Sequence, residues 1–348
     1  MKLEELSGGD YRMVEEVLAN YQQEENGMDA IKQRIASFET YYPPLTAKED
    51  LELFWEETLR EFADKPLNAT TAREDTPLAL ADVYKVTYEG FDDTPIHGWY
   101  MLPKQIAGAR VPCVIAFHGY HGSKGYPEQY SQWLLMGYGV FAIDIRGQVG
   151  ETGNRLPSEF GMVSGWVSQG ILDKRHSYYL AAVIDCLKAV DWVSGRDEID
   201  PAHIYLEGSS QGGGLVLLTA ALSDKPALAV ANVPNMCHID FGMLNSTGSL
   251  TELSNLSTVF PDKLEAIMDT VSYFDVMNLA EKIQIPVMIS VGLKDTICMP
   301  ETVYAAYNRI NSKKEIHPYP FMGHTNIAYH NRLAMRFMES YRLEHTAK

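Results

Sequence analysis

Ser210 stands between Gly208 and Gly212, two residues from each, in the run Gly208-Ser209-Ser210-Gln211-Gly212. A serine so placed can attack a carbonyl carbon, but its hydroxyl is a weak nucleophile at neutral pH. It needs a base within hydrogen-bond reach, and an imidazole with a pKa near the working pH suits. The imidazole in turn needs a carboxylate that fixes its tautomer and stabilises the imidazolium. The chain offers Asp295 and His324 for these parts, in the order Ser, Asp, His. Other histidines compete, among them His118, His121, His238, His317 and His330. Only His324 follows the last strand-like run, directly after a glycine. Asp275 is the second candidate for the acid, but it precedes a helix-like stretch rather than ending a strand. The negative oxygen formed on attack needs two N–H donors. One is the N–H of Gln211, next to the serine. The other is expected from Tyr120, in His118-Gly119-Tyr120-His121-Gly122; the competing reading of that stretch is a plain turn.

These groups need particular elements to hold them. Ile204-Tyr205-Leu206 reads as a strand and Leu215 to Leu222 as a helix, so Ser210 lies on a sharp strand-to-helix turn. Flanking glycines remove side chains that would clash there, and the N-terminus of the helix favours developing negative charge. On its own the motif also fits an incidental serine in a glycine-rich turn. Further apolar runs at Val111–Phe117, Gly139–Ile143, Leu228–Val233 and Pro286–Gly292 read as strands buried on both faces. Val83–Tyr88 and Pro95–Leu102 read as a hairpin with a turn at Gly90–Thr94, and Lys314–Tyr319 as a short last strand. Helices are expected at Leu51–Phe62, Glu128–Met136, Tyr178–Val193, Pro300–Asn308 and Ile327–Leu343. Strands alternating with helices predict an α/β fold with a mostly parallel central sheet covered on both faces. Functional groups then gather at the C-terminal ends of the strands, where Ser210, Asp295 and His324 all fall. Their order is that of an α/β-hydrolase.

Residues 10–38 show apolar positions at helical spacing, broken at Gly27. They read as two packing helices, or alternatively as a docking element for another subunit. The expected organisation is an N-terminal helical extension over 1–40 and a single domain over 41–348. Insertions are expected near 149–176 and 236–270, the first as a long loop, which in a compact domain is usually functional.

Composition narrows the function. The 348 residues include 29 Lys and Arg against 46 Asp and Glu, a net charge of −17. Such a surface repels phosphate backbones and anionic lipid, which argues against nucleic acid and membrane partners, while a neutral ester meets no barrier. Cys113, Cys186, Cys237 and Cys298 form no C-x-x-C pair and no zinc-like spacing, so buried free thiols in a reducing compartment are expected. The start, Met1-Lys2-Leu3-Glu4-Glu5, lacks a signal-peptide core, and no run has the apolar length of a membrane span. The expectation is a cytoplasmic protein without metal or cofactor.

Arg146-Gly147-Gln148, Gly208-Ser209-Ser210-Gln211-Gly212, Asp295-Thr296-Ile297-Cys298 and His324 together resemble the acetyl xylan esterase and cephalosporin C deacetylase family, carbohydrate esterase family 7. Phe54-Trp55-Glu56-Glu57, Gly170-Ile171-Leu172-Asp173, Ser272-Tyr273-Phe274-Asp275 and Ala305-Ala306-Tyr307-Asn308 look similar too, so the resemblance runs from about Ile35 to the C-terminus. It implies an α/β-hydrolase fold and a serine esterase that removes acetyl groups from acetylated xylo-oligosaccharides and cephalosporin C. Ser210 would be nucleophile, His324 base and Asp295 orienting acid, with Tyr120 and Gln211 as the oxyanion hole. It further implies a cytoplasmic homohexamer and no cofactor. Other hydrolases on the same fold, such as a general carboxylesterase, thioesterase or peptidase, and a non-catalytic binding protein, are the competing readings. One departure stands out: the family's last motif reads His-Glu, and this chain has His324-Thr325. The missing carboxylate is expected to leave Arg146 or a nearby group short of a partner, so that Thr325→Glu would raise stability or activity.

Overall fold

Alternating apolar strands and amphipathic helices fold here into one nine-stranded sheet flanked by helices. The computed structural model describes residues 29–104, 110–158 and 165–346. Two compact units divide at Tyr41: residues 1–41 and residues 42–348. In the first, helix α1 spans Asp29–Glu39; the helix expected around Met13 to Tyr21 lies outside the described residues.

The second unit begins with helix α2 (Leu51–Ala63), which buries Phe54, Trp55 and Phe62 on one stripe. Strands β1 (Thr70–Arg73), β2 (Ala81–Glu89) and β3 (Pro95–Pro103) form an antiparallel ribbon. Then follow β4 (Val111–Phe117), the short helix α3 (Ser131–Leu135) and β5 (Gly139–Ile143). After them come helix α4 (Tyr178–Ser194), β6 (Ile199–Ser209), α5 (Gln211–Leu222) and β7 (Leu228–Asn232). Three helices stand together: α6 (Ile239–Asn245), α7 (Thr251–Val259) and α8 (Leu264–Ser272). The chain closes with α9 (Val276–Leu279), β8 (Val287–Gly292), α10 (Pro300–Tyr307), β9 (Lys314–Tyr319) and α11 (Ala328–Thr346).

The sheet order is β1-β2-β3-β5-β4-β6-β7-β8-β9. β3 meets β5 antiparallel, and every neighbouring pair from β5 to β9 is parallel. Alternation along each central strand divides its side chains between two buried layers. Val114, Tyr205, Val230 and Met288 pack with Trp133 of α3 and Ala334 and Met338 of α11. The intervening Cys113, Ile115, Leu206 and Ala229 are also fully buried and face the other way, toward α4 and α5. Burial on both faces is why these strands read as unbroken apolar runs. Helix α4 starts at Ser177, whose Oγ accepts the N–H of Tyr179 and Leu180 at 3.1 and 3.4 Å.

Three elements differ from expectation. The helix expected over Glu128–Met136 is a 3-10 turn at Pro127–Tyr130 followed by α3. β1 carries no apolar periodicity and was not expected, whereas α9 is the helix-like stretch expected after Asp275. β6 starts earlier than Ile204, at Ile199, through the exposed Pro201 and Ala202.

Candidate active site

β4, β6, β7 and β8 end level: Phe117 pairs with Gly208, Ser209 with Asn232, and Asn232 with Ser290. Their C-terminal edge therefore presents the following loops side by side. Ser210, just past β6, has φ +58° and ψ −121°. That backbone is strained for a residue with a Cβ. The surroundings enforce it: the Ser210 N–H donates to the Asn232 carbonyl at 2.9 Å, and its own carbonyl accepts N–H from Asn235 and Gly214. A Cβ on Gly212 would overlap the Phe117 carbonyl oxygen, so β4 and the start of α5 approach as closely as backbones can.

The Ser210 hydroxyl lies 2.9 Å from His324 Nε2, and His324 Nδ1 lies 2.8 Å from Asp295 Oδ2. A carboxylate only accepts, so the Nδ1 proton points to Asp295 and Nε2 is left to take the serine proton. Asp295 Oδ1 accepts the N–H groups of Ile297 and Cys298 at 2.8 and 2.9 Å, and its side chain is fully buried. The acid and histidine loops are laced together by Leu293 N–H to the Tyr319 carbonyl and Lys294 N–H to the Met322 carbonyl. Gly292 allows that lacing, because a Cβ there would overlap the Met322 carbonyl. Cys298 Sγ lies 4.0 Å from Ser210 Oγ, and burial pushes its thiol well above the ordinary range, so it stays protonated beside the serine.

The loop after β4 runs against Ser210: a Cβ on Gly119 would lie 3.3 Å from the Ser209 carbonyl and 3.5 Å from Ser210 Cβ. Among the described residues the amides of Tyr120 and Gln211 have no hydrogen-bond acceptor. One of these N–H groups adjoins Ser210 and the other lies in the loop packed against it. His118 holds this loop. Its Nε2 accepts from Ile145 N–H at 2.8 Å, so Nδ1 carries the proton and donates to the Gly119 carbonyl at 2.8 Å. Burial lowers the His118 pKa and keeps it neutral. Lys124, further along the loop, is buried and ion-paired to Asp144 at 2.7 Å.

The Arg146-Gly147-Gln148 run supports the site from beneath. Gln148 Nε2 donates to Gln211 Oε1 at 3.0 Å and to the Tyr178 hydroxyl at 2.8 Å, so it orients the residue next to Ser210. Arg146 is fully buried and has its charges met. It bonds Asp185 through Nε and Nη2 at 2.6 and 2.9 Å, and Asp92 through Nη1 at 2.9 Å. The expectation that Thr325 leaves Arg146 without a carboxylate is therefore overturned: two carboxylates bind it, while Thr325 is exposed.

The competing residues have other work. Asp275 caps α9 and accepts N–H from His238, Ile239 and Met277, away from the histidine. His121 packs edge-on against Tyr120 and Trp166, His238 precedes α6, and His317 and His330 pack together between β9 and α11. Sequence reasoning missed the side-chain roles of Gln148, Tyr120, Cys298 and Glu252. Glu252 Oε2, on α7, accepts the Tyr120 hydroxyl at 2.6 Å. Motif spacing named Gln148 and Cys298 without saying what they touch; for Glu252 no local signal existed. Among the described residues no cluster of three His, Cys, Asp or Glu could hold a metal ion, and no helix is long and apolar enough to cross a membrane.

The family model described as acetyl xylan esterase (AXE1) matches residues 28–341. An acetyl xylan esterase from Paenibacillus sp. R4 is 37% identical; the match covers 88% of this chain and 98% of that one, with a TM-score of 0.85. Acetyl xylan esterase 1 from Thermoanaerobacterium sp. JW/SL YS485 is 28% identical over 87% of this chain and 97% of its own, with a TM-score of 0.83. Among curated sequences, the acetyl esterase Axe7A of Xylanibacter ruminicola is 28% identical over 276 residues. That match takes in 77% of this chain and 61% of Axe7A, so the chain spans about three-fifths of that relative's length.

Proposed function

The chain belongs to the acetyl xylan esterase family, and from that membership we propose that it is a serine esterase that removes acetyl groups from small acetylated carbohydrates, acetylated xylo-oligosaccharides first among them. The observation that carries this reading is the continuous hydrogen-bond path from Ser210 Oγ through His324 to Asp295, at 2.9 and 2.8 Å, beside two unengaged backbone N–H groups.

Ser210 Oγ attacks the acetyl carbonyl carbon while its proton passes to His324 Nε2. The carbonyl oxygen becomes negative and accepts the Tyr120 and Gln211 N–H groups. Asp295 stabilises the imidazolium that forms. As the tetrahedral intermediate collapses, the sugar oxygen leaves and takes the proton from His324. Water then attacks the acetyl-serine, His324 removes its proton, and acetate departs with Ser210 restored.

Cephalosporin C presents the same acetyl group on another frame, and the proposal extends to it as a second substrate. It extends also to a cytoplasmic homohexamer. Four free buried cysteines fit a reducing compartment, and the ring assembly follows from the family resemblance. Light scattering on the purified protein should then give six times the chain mass of 39.1 kDa.

The test of the activity is hydrolysis of p-nitrophenyl esters from acetate to octanoate, wild type beside Ser210→Ala. Fast acetate turnover that collapses by butyrate and vanishes in the variant is expected. Preference for long chains would point instead to a general carboxylesterase, and turnover retained by Ser210→Ala would refute the nucleophile.

A further inference from the structure

Seven consecutive residues, 246–252, running from the end of α6 into the first turn of α7, reach all three loops of the site. Toward the acid loop, the Ser246 hydroxyl donates to the Ile297 carbonyl at 2.8 Å, and Thr247 N–H donates to the Thr296 carbonyl at 2.9 Å. Thr247 Oγ1 also lies 3.0 Å from Thr296 Oγ1. Ser246 Oγ in turn accepts Gly248 N–H at 3.0 Å, and a Cβ at Gly248 would overlap the Ile297 side chain. The same Ile297 gives its N–H to Asp295 Oδ1.

Toward the nucleophile, Ser249 Oγ accepts from Asn235 Nδ2 at 3.1 Å, and Asn235 N–H donates to the Ser210 carbonyl at 2.9 Å. Toward the oxyanion loop, Glu252 Oε2 accepts the Tyr120 hydroxyl at 2.6 Å. That hydroxyl also accepts N–H from Trp166 at 2.8 Å and from Val167 at 3.3 Å. The tip of Tyr120 is thereby held on three sides. A Cβ on Gly165, which has φ +75°, would overlap the Glu252 carboxyl, so the two insertions meet at this point. Leu250 and Leu253 anchor the segment in the core.

We propose that residues 246–252 act as one brace that fixes the acid, nucleophile and oxyanion loops relative to one another, with Ser246 and Glu252 as its positioning residues. This rests on the roles given above to Ser210, Asp295 and the Tyr120 N–H. The strands end level, but the loops that follow them come from distant parts of the chain, and the distance between the Tyr120 amide and the Ser210 hydroxyl depends on how those loops are held. Transition-state stabilisation depends on that distance far more than substrate binding does. Loss of the brace therefore appears in kcat and not in KM.

The experiment compares wild type with Glu252→Ala, Glu252→Gln, Ser246→Ala and the double alanine variant on p-nitrophenyl acetate. Active sites are titrated, and the temperature is well below each melting point. Glu252→Ala should lose about 10- to 100-fold in kcat per active site with KM changed by less than about threefold. Ser246→Ala should lose about 3- to 10-fold, and the double variant should lose less than the product of the two, as residues of one network do. Glu252→Gln keeps an acceptor for the Tyr120 hydroxyl and should restore most of the rate. A merely structural segment would lower the melting temperature and leave kcat per active site within about twofold of wild type, which would overturn the proposal. Equal losses in the Gln and Ala variants would overturn it too. Should Glu252→Ala not accumulate as folded protein, Ser246→Ala, which removes no charge, decides. A wild type that hydrolyses no acetate ester would sink the esterase reading and the brace with it; active wild type with unaffected variants sinks the brace alone.

Discussion

Asp295 uses both carboxyl oxygens: one takes the His324 Nδ1 proton and the other takes two backbone N–H groups. In Asp295→Asn the second role constrains the amide, because the side facing Ile297 and Cys298 must remain the oxygen. The NH2 then faces His324 and selects the wrong tautomer, with the proton on Nε2. A loss of about 10,000-fold in kcat with KM little changed is expected from steady-state kinetics. A second residue titrates where neither substrate nor triad is involved. Glu207, three positions before Ser210, accepts the Trp133 indole N–H at 3.1 Å, and burial pushes its carboxyl up to about 7 from an ordinary 4.5. The folded protein binds this proton more tightly than the unfolded chain, so the stabilisation is complete below pH 4.5 and is lost as pH rises through 7. Glu207→Gln should flatten that fall and be more stable than wild type at pH 8 by about 1–3 kcal/mol, as read from denaturant unfolding at pH 5 and pH 8. At this scale the sequence was informative about chemistry and silent about support. Ser210, Asp295 and His324 could be picked out because each follows a strand. Glu252 could not, because its meeting with Tyr120 spans 132 positions and leaves no local pattern.

Elements place those residues through contacts that tolerate little change. Gly212→Ala puts a methyl into the Phe117 carbonyl and should push β4 away from α5. Loss of soluble protein, or of nearly all activity in what remains, is the expected result of expression and assay. Ser177→Ala removes the cap of α4 and should lower stability by about 1 kcal/mol without changing kcat, measured by urea unfolding beside kinetics. The buried strands β4, β5, β7 and β8 were legible because burial on both faces demands unbroken apolar runs. β1 was not, since Thr70-Thr71-Ala72-Arg73 is exposed throughout and is a strand only because β2 lies alongside. Likewise the helix expected over Glu128–Met136 opens as a 3-10 turn at Pro127–Tyr130 before α3, a difference in backbone winding that apolar spacing does not register.

For the whole molecule, the net charge of −17 reaches a substrate before any single residue does. An acetate ester carrying its own carboxylate should show lower kcat/KM than a neutral one at low salt. That gap should narrow between about 0.01 M and 1 M salt, as the screening length falls from about 30 to about 3 Å. A gap that ignores salt would assign the discrimination to pocket shape and not to field. The fold class was legible at this scale from the alternation of strands and helices. The antiparallel ribbon β1–β3 at one edge was only half visible, as a hairpin.

The φ of +58° at Ser210 also bears on ancestry. A backbone of this kind costs a residue with a Cβ about 1–3 kcal/mol, and glycine almost nothing. Ser210→Gly should therefore unfold at higher denaturant than Ser210→Ala, while both are inactive. A descendant released from any need to turn over ester would gain stability by drifting to glycine at this position.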